Sequence, residues 1–258
     1  MLPGLETAVR QASSLEEQAH RPWPLPEGTW AMAQSWEHLL FAHWPVPADE
    51  LVRLLPPALP LDTFEGDAWL GVTPFRLSGL RPHGVAPLPV LSSSLELNVR
   101  TYVTLDGKPG IWFFSLDASS RLFVEAARAL FALPYARARM SCWRHGDRFA
   151  FRSERDDRRL PPASFLAEYE PSGAVTRAEP GSLEHFLVER YCLYALRRES
   201  VERTEIHHRP WPLQPAEAVV AAESQLPPGV ALPSDSPVLH FADRLDVLVW
   251  RPAPTLGC

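Results

Sequence analysis

The sequence predicts an α+β protein made mainly of antiparallel strands: one curved or barrel-like sheet with helices packed outside. Three observations carry this. Apolar and polar residues alternate strictly, as where Leu95, Leu97, Val99, Thr101 and Val103 interleave with Glu96, Asn98, Arg100 and Tyr102, and a period of two marks a strand. Proline occurs 28 times in 258 residues, roughly twice its usual share. Because proline is excluded from helix interiors and central strands, the elements must be short and joined by stiff turns. Helical stretches come singly and not in regular alternation with strands, which disfavours a doubly wound parallel sheet.

Residues 1–20 read as an N-terminal arm, a weak helix or loose segment, ahead of a single domain over 21–258. Arg21-Pro22-Trp23-Pro24-Leu25-Pro26 is stiff and extended, and Arg209-Pro210-Trp211-Pro212-Leu213 echoes it. Each presents an aromatic plug on a rigid turn. Residues 30–44 contain no breaker and form one or two strands. Pro47 and the acids after it open a short helix whose start suits the dipole. A tight turn at 64–68 leads into a strand over 69–75, and 81–91 is a Pro- and Gly-rich loop. The 95–103 strand turns at 106–110 and returns over 111–116 as a hairpin. Asp117, Ser119 or Ser120 caps a helix over 119–132, with a core stripe of Leu122, Phe123, Ala126, Ala127, Leu130 and Phe131. Strands follow at 135–143, 149–155 and 165–169. Ser182 caps a helix to about 191, a hairpin joins 192–196 to 201–208, a short helix lies near 216–222, and a last strand covers 238–250.

Charge and motifs exclude much. Lys and Arg total 25 against 31 Asp and Glu, and the one dense arginine stretch, 152–159, is interleaved with acids. Nucleic acid is therefore not an expected partner. No apolar run approaches the ~18 residues of a membrane span, and no secretory signal is evident. Cys142, Cys192 and Cys258 are odd in number and widely spaced, which suits free thiols in a cytoplasmic protein. There is no G-x-G-x-x-G, G-x-x-x-x-G-K-[ST] or G-x-S-x-G motif, so no cofactor is expected. His38 and His43 fall on opposite faces of a strand, and Glu205 with His207 supplies two same-face ligands only, so no metal site is expected.

Several blocks carry a resemblance: Trp36 to Val46 (WEHLLFAHWPV), Asp62 to Gly71 (DTFEGDAWLG), Glu96 to Val103 (ELNVRTYV), Gly110 to Ala118 (GIWFFSLDA) and Pro210 to Gln214 (PWPLQ). Spanning roughly 21–250, they resemble the YqjF-like family of uncharacterised bacterial proteins, and more distantly acetoacetate decarboxylase and its relatives. The resemblance implies a single cone-shaped antiparallel β-barrel with outer helices and an active site inside. In the decarboxylases a lysine following a helix forms the imine. The corresponding stretch here is Leu133-Pro134-Tyr135-Ala136-Arg137, without a lysine. Lys108 is the chain's one lysine, placed in a turn where it should stay solvated and protonated. Imine chemistry, which needs a buried or cation-flanked amine, is therefore not expected.

A small barrel can hold one ligand or fill itself with side chains. The expected lining is Glu96, Asn98, Arg100 and Tyr102 on one strand, with Tyr135 and Arg137 on another and Trp112 in the wall. If the interior carries chemistry, Glu96 or a histidine such as His208 is the acid/base, Arg100 the clamp for a small anionic metabolite and Tyr135 a proton donor. From periodicity alone, the same residues read as the solvent face of a half-buried sheet. The other function class is a non-catalytic structural or interaction protein with a filled barrel. A homo-oligomer is compatible with either.

Overall fold

A computed structural model describes residues 3–87, 93–232 and 236–255. Cys258 and the end of the expected 81–91 loop lie outside the described residues. The strands are β1 (Met32–Val46), β2 (Ala68–Pro82), β3 (Ser94–Leu105), β4 (Lys108–Ala118), β5 (Tyr135–His145), β6 (Arg148–Arg155), β7 (Ser164–Pro171), β8 (Cys192–Arg197), β9 (Ser200–His207), β10 (Gln214–Ala221), β11 (Val238–Val249) and the short β12 (Ala253–Pro254). The helices are α1 (Pro3–Ala12), α2 (Ala48–Val52), α3 (Arg121–Phe131) and α4 (Leu183–Val188). Among the described residues, no helix is long and apolar enough to cross a membrane.

Five antiparallel neighbours, β4–β3–β2–β1–β11, close on themselves twice. The larger closure continues through β10, β7, β6 and β5. It returns to β4 by a parallel pairing of Leu116 with Tyr135, making a nine-stranded mixed barrel among the described residues. The smaller closure runs from β11 to β9 and β8 and back to β4, where Ile111 lies opposite Leu193. The five shared strands thus have an enclosed compartment on each face, and residue parity decides which side chain enters which. Leu40, Ala42, Leu70, Val72, Leu97 and Val99 pack with Phe149, Phe151, Phe165, Tyr169 and Phe241 inside the nine-stranded barrel. On the other face Leu39, Phe41, Phe75 and Phe113 meet Val124, Ala127 and Phe131 of α3, Leu187 of α4 and Trp211.

Three expected elements differ. The strand expected over 69–75 runs on to Pro82 as a central strand with Pro74 inside it, so the elements are not all short. Residues 216–222 form not a helix but β10, paired with β7 from Ala216–Pro171 to Ala221–Leu166. Its inward residues, Ala216, Ala218 and Val220, are small, so the period of two is faint in the sequence. In α3 the buried face is Val124, Ala127 and Phe131. Leu122 and Leu130 lie roughly 200° and 240° around the helix from Val124, and they are 73% and 60% exposed. Ser120 does cap the helix, accepting from the Phe123 N–H.

The N-terminal arm is docked. Gln11 is fully buried, donating to the Gly79 carbonyl at 3.0 Å and accepting from Arg81 Nε at 2.7 Å. Arg10 pairs with Asp246 at 2.7 Å. Gly79 has φ +59°, and a Cβ there would sit 2.8 Å from Thr7 Cγ2, so glycine is what lets α1 approach β2.

Candidate functional site

On β3 the odd residues Leu97 and Val99 enter the nine-stranded core, so Glu96, Asn98, Arg100 and Tyr102 point into the smaller compartment. All four are buried, with Arg100 only 6% exposed. The solvent-face reading of this alternation therefore fails, because both faces of the sheet are covered. Across the sheet Arg100 lies beside Gly71, and Gly71 beside His43, each step ~4.8 Å.

Tyr135, the first residue of β5, donates its hydroxyl to Glu96 Oε1 at 3.1 Å. Glu96 Oε2 is buried without a protein partner. Burial pushes the Glu96 pKa up to about 8, against the lowering effect of the Tyr135 bond, so the carboxyl holds a proton at neutral pH. With Oε1 engaged by Tyr135, the unpartnered Oε2 is free to act as the donor of the neutral acid. Burial, reinforced by Glu96, also pushes the Tyr135 phenol well above its usual range.

Arg100 lays its guanidinium over the rings of Phe41, at 5.2 Å, and Tyr102, at 5.9 Å. One terminal nitrogen reaches the Leu187 carbonyl at 3.4 Å, and Nε has no protein partner. Among the described residues no carboxylate pairs with it. Arg155 is matched by Asp117 at 2.6 Å and Arg190 by Asp62 at 2.6 Å, while Arg81, also buried without a carboxylate, is satisfied through Nε by Gln11 Oε1 at 2.7 Å and through a terminal nitrogen by the Ala8 carbonyl at 3.0 Å. Around Arg100 the buried Asn98 Oδ1, Thr73 Oγ1 and His43 Nδ1 also lack protein partners, as do the indole N–H groups of Trp36, Trp69 and Trp211 in the same compartment.

Glu96, Asn98, Arg100 and Tyr102 thus face one compartment along β3, with Tyr135 on Glu96 at one end, and three expected site residues lie elsewhere. Trp112 alternates with the inward Ile111 and Phe113 and so points the other way, packing with Leu61 and Phe114 on a separate cluster. Arg137 is exposed, its side chain 3.9 Å from Asp156 in solvent. His208 is buried, but its Nδ1 faces the Arg209 carbonyl at 2.8 Å and its Nε2 the Arg190 carbonyl at 3.3 Å. Its ring stacks on Tyr191, so it ties two backbone segments together. Lys108 is not free in solvent: its ammonium pairs with Glu205 Oε1 at 2.8 Å and sits over Trp23. Glu205 also accepts from Arg21, Trp23 and Arg203, which gives it a structural role.

Sequence reasoning missed His43, Thr73 and His240, and the close packing of side chains over Gly71. His43 was read as a core or rim histidine facing away from His38. The two do take opposite faces, since His38 stacks on Phe149 of the nine-stranded barrel. The available signal was parity: Leu39, Phe41 and His43 share a face of β1, and His240 pairs with Phe41 from β11.

With this geometry in hand, comparison with known proteins is informative. The family model DUF2071, described as an uncharacterized conserved protein, matches residues 33–246. The uncharacterized protein YqjF of Bacillus subtilis is 44% identical over 227 residues, covering 88% of this chain and 93% of that one. Among solved structures, acetoacetate decarboxylase from Legionella pneumophila superposes with a TM-score of 0.58 at 12% identity, over 93% of this chain and 94% of the other. The enduracididine biosynthesis enzyme MppR complexed with pyruvate gives 0.59 at 10% identity, over 92% and 93%. The fold is therefore that of the acetoacetate decarboxylase-like enzymes.

Proposed function

The chain belongs to the DUF2071 family, and on that premise we propose that it binds a small organic acid in the smaller compartment of its barrel, without forming an imine. The observation that carries this reading is Arg100. A buried guanidinium with no carboxylate and an unpaired Nε is costly unless something anionic completes it, and its planar fork suits a carboxylate. The unpaired donors beside it, the indole N–H groups of Trp36, Trp69 and Trp211, also suit a guest that carries acceptors. The fold relative MppR was solved with pyruvate, which supports a small acid as the kind of guest such an interior admits.

By the resemblance, the stretch that carries the decarboxylase amine corresponds here to Leu133-Pro134-Tyr135-Ala136-Arg137, without a lysine, and Lys108 is spent on Glu205. Glu96, protonated at neutral pH, is the group placed to give a bound acid a proton. On this reading the protein works in the cytoplasm, where Cys142 and Cys192 remain thiols. The alternative of a filled, non-catalytic barrel describes the nine-stranded compartment, whose aromatic core is complete, but it leaves the unpaired groups around Arg100 without a purpose. Calorimetric titration with propionate tests the proposal. Binding to the wild type is expected, with at least about tenfold weaker binding to Arg100→Leu. Equal affinities, or failure of propionate and of other short acids alike to bind a folded wild type, would remove it.

A further inference from the structure

An anion clamp alone does not select among small acids; the group beside it does. Tyr102 has a single hydroxyl proton, and the Leu187 carbonyl 2.8 Å away can only accept it. His43 Nε2, also 2.8 Å from that hydroxyl, must then be the donor. The neutral ring is thereby fixed with its proton on Nε2 and a bare lone pair on Nδ1. Burial first, then the charges of Arg100 and His240, hold the His43 pKa well below its usual value, so the ring stays an acceptor. It lies parallel to Phe41 at 5.7 Å and cannot turn without breaking the Tyr102 contact.

Gly71 lets the Cδ2–Nε2 edge of this ring lean toward the Arg100 stem. A Cβ on Gly71 would lie 2.9 Å from His43 Cδ2 and 3.2 Å from Arg100 Cγ, so the imidazole and the arginine stem converge over the missing side chain. Nδ1 of His43 and Nε of Arg100, one acceptor and one donor, are both buried and both lack protein partners. One row along, Thr73 Oγ1 and Asn98 Oδ1, neighbours across β2 and β3, extend the acceptor side, and His240 Nδ1 joins them from β11.

We infer that His43 Nδ1 receives a hydroxyl proton from the guest whose carboxylate sits on Arg100, so that the ligand class is a short hydroxy acid. This rests on the anion reading of Arg100 and narrows it. An unsubstituted acid leaves Nδ1 unpaired, and a keto acid sets a second acceptor against it. A site that pairs a ligand hydroxyl rejects analogues lacking it, because its own buried group is left unsatisfied.

The probes are lactate and 3-hydroxybutyrate against propionate and pyruvate, titrated into wild type and His43→Phe, with ¹⁵N spectra of the histidine rings of the wild type. One hydroxy acid or both should bind about tenfold tighter than propionate or pyruvate. The resonance missing from His43→Phe should report the Nε2–H tautomer and shift at Nδ1 with the hydroxy acid but not with propionate. His43→Phe should retain propionate and lose the preference. The ¹⁵N readout stands on wild type alone should the variant fail to fold. Equal affinity for all four acids with an unmoved Nδ1 resonance overturns the His43 inference and leaves the anion site standing. Failure of every acid to bind removes both.

Discussion

The two faces of β3 carry opposite solutions to burial in one sheet. On the nine-stranded side, the neighbouring β4 brings in Asp117. Arg155 meets it at 2.6 Å, and Gln225 donates to its other oxygen at 3.3 Å. Phe149, Phe151 and Phe165 pack the rest. On the other side Arg100 is as deeply buried, yet it faces aromatic rings and one distant carbonyl. Burial of charge does not distinguish a site from a scaffold; whether the protein itself completes the charge does. A matched pair contributes to the fold, whereas an unmatched arginine costs stability that a guest must offset.

The sharpest way to break the comparison is to truncate one arginine from each face. Arg155→Leu strands Asp117, whose pKa burial already holds above the usual carboxylate range. It should destabilise the protein by about 3–5 kcal/mol in denaturant unfolding. Arg100→Leu should leave ligand-free stability unchanged or slightly raised, because the variant no longer buries an uncompensated cation. If both variants lose similar stability, Arg100 is a scaffold residue and the contrast disappears.

A smaller effect is expected at Gly71. Adding one methyl forces His43 or Arg100 to yield, since the new carbon would meet them at 2.9–3.2 Å. Overpacking of this kind costs typically 1–3 kcal/mol. In Gly71→Ala the loss of propionate affinity should exceed what the modest fall in stability would suggest. Unchanged affinity in a folded variant would place the guest elsewhere.

Much of the architecture was legible because parity is a strong signal: the 95–103 alternation, the hairpin after it and the Ser120 cap all appear where the residues demand. What was illegible is equally physical. A strand buried on both faces still alternates when one compartment is polar, so Glu96 and Arg100 could be read as facing water. Trp112 was grouped with them as an aromatic and Arg137 by its alternation with Tyr135, yet one residue of parity sends Trp112 to the far face, and Arg137, two residues beyond the buried Tyr135, is already exposed beside Asp156. His43 was hidden because its partner Tyr102 is 59 residues away in sequence, and Tyr102's own acceptor, the Leu187 carbonyl, 85 residues further, so the three meet only once the sheet has closed. The α3 stripe was misplaced because Leu122 and Leu130 are apolar residues on a solvent face, which is common on protein surfaces.

The finest test separates the Glu96–Tyr135 pair from mere packing. The native Glu96 pKa, about 8, lies above its ordinary value of 4.5. The native state therefore holds a proton that the unfolded chain releases between these values. The stabilisation from the neutral form is complete below the unfolded pKa and is lost as pH rises through the folded one. Glu96→Gln, which cannot ionise, should remove this decline, so the difference between wild type and variant should widen from about pH 4.5 to 8 in unfolding measured across pH. Tyr135→Phe deletes the hydroxyl that favours the ionised carboxyl. It should cost about 1 kcal/mol and move the Glu96 titration further up. If the wild type and Glu96→Gln track each other across that range, the acid is already ionised in the native state, and the compartment has one donor fewer than the organic-acid reading requires.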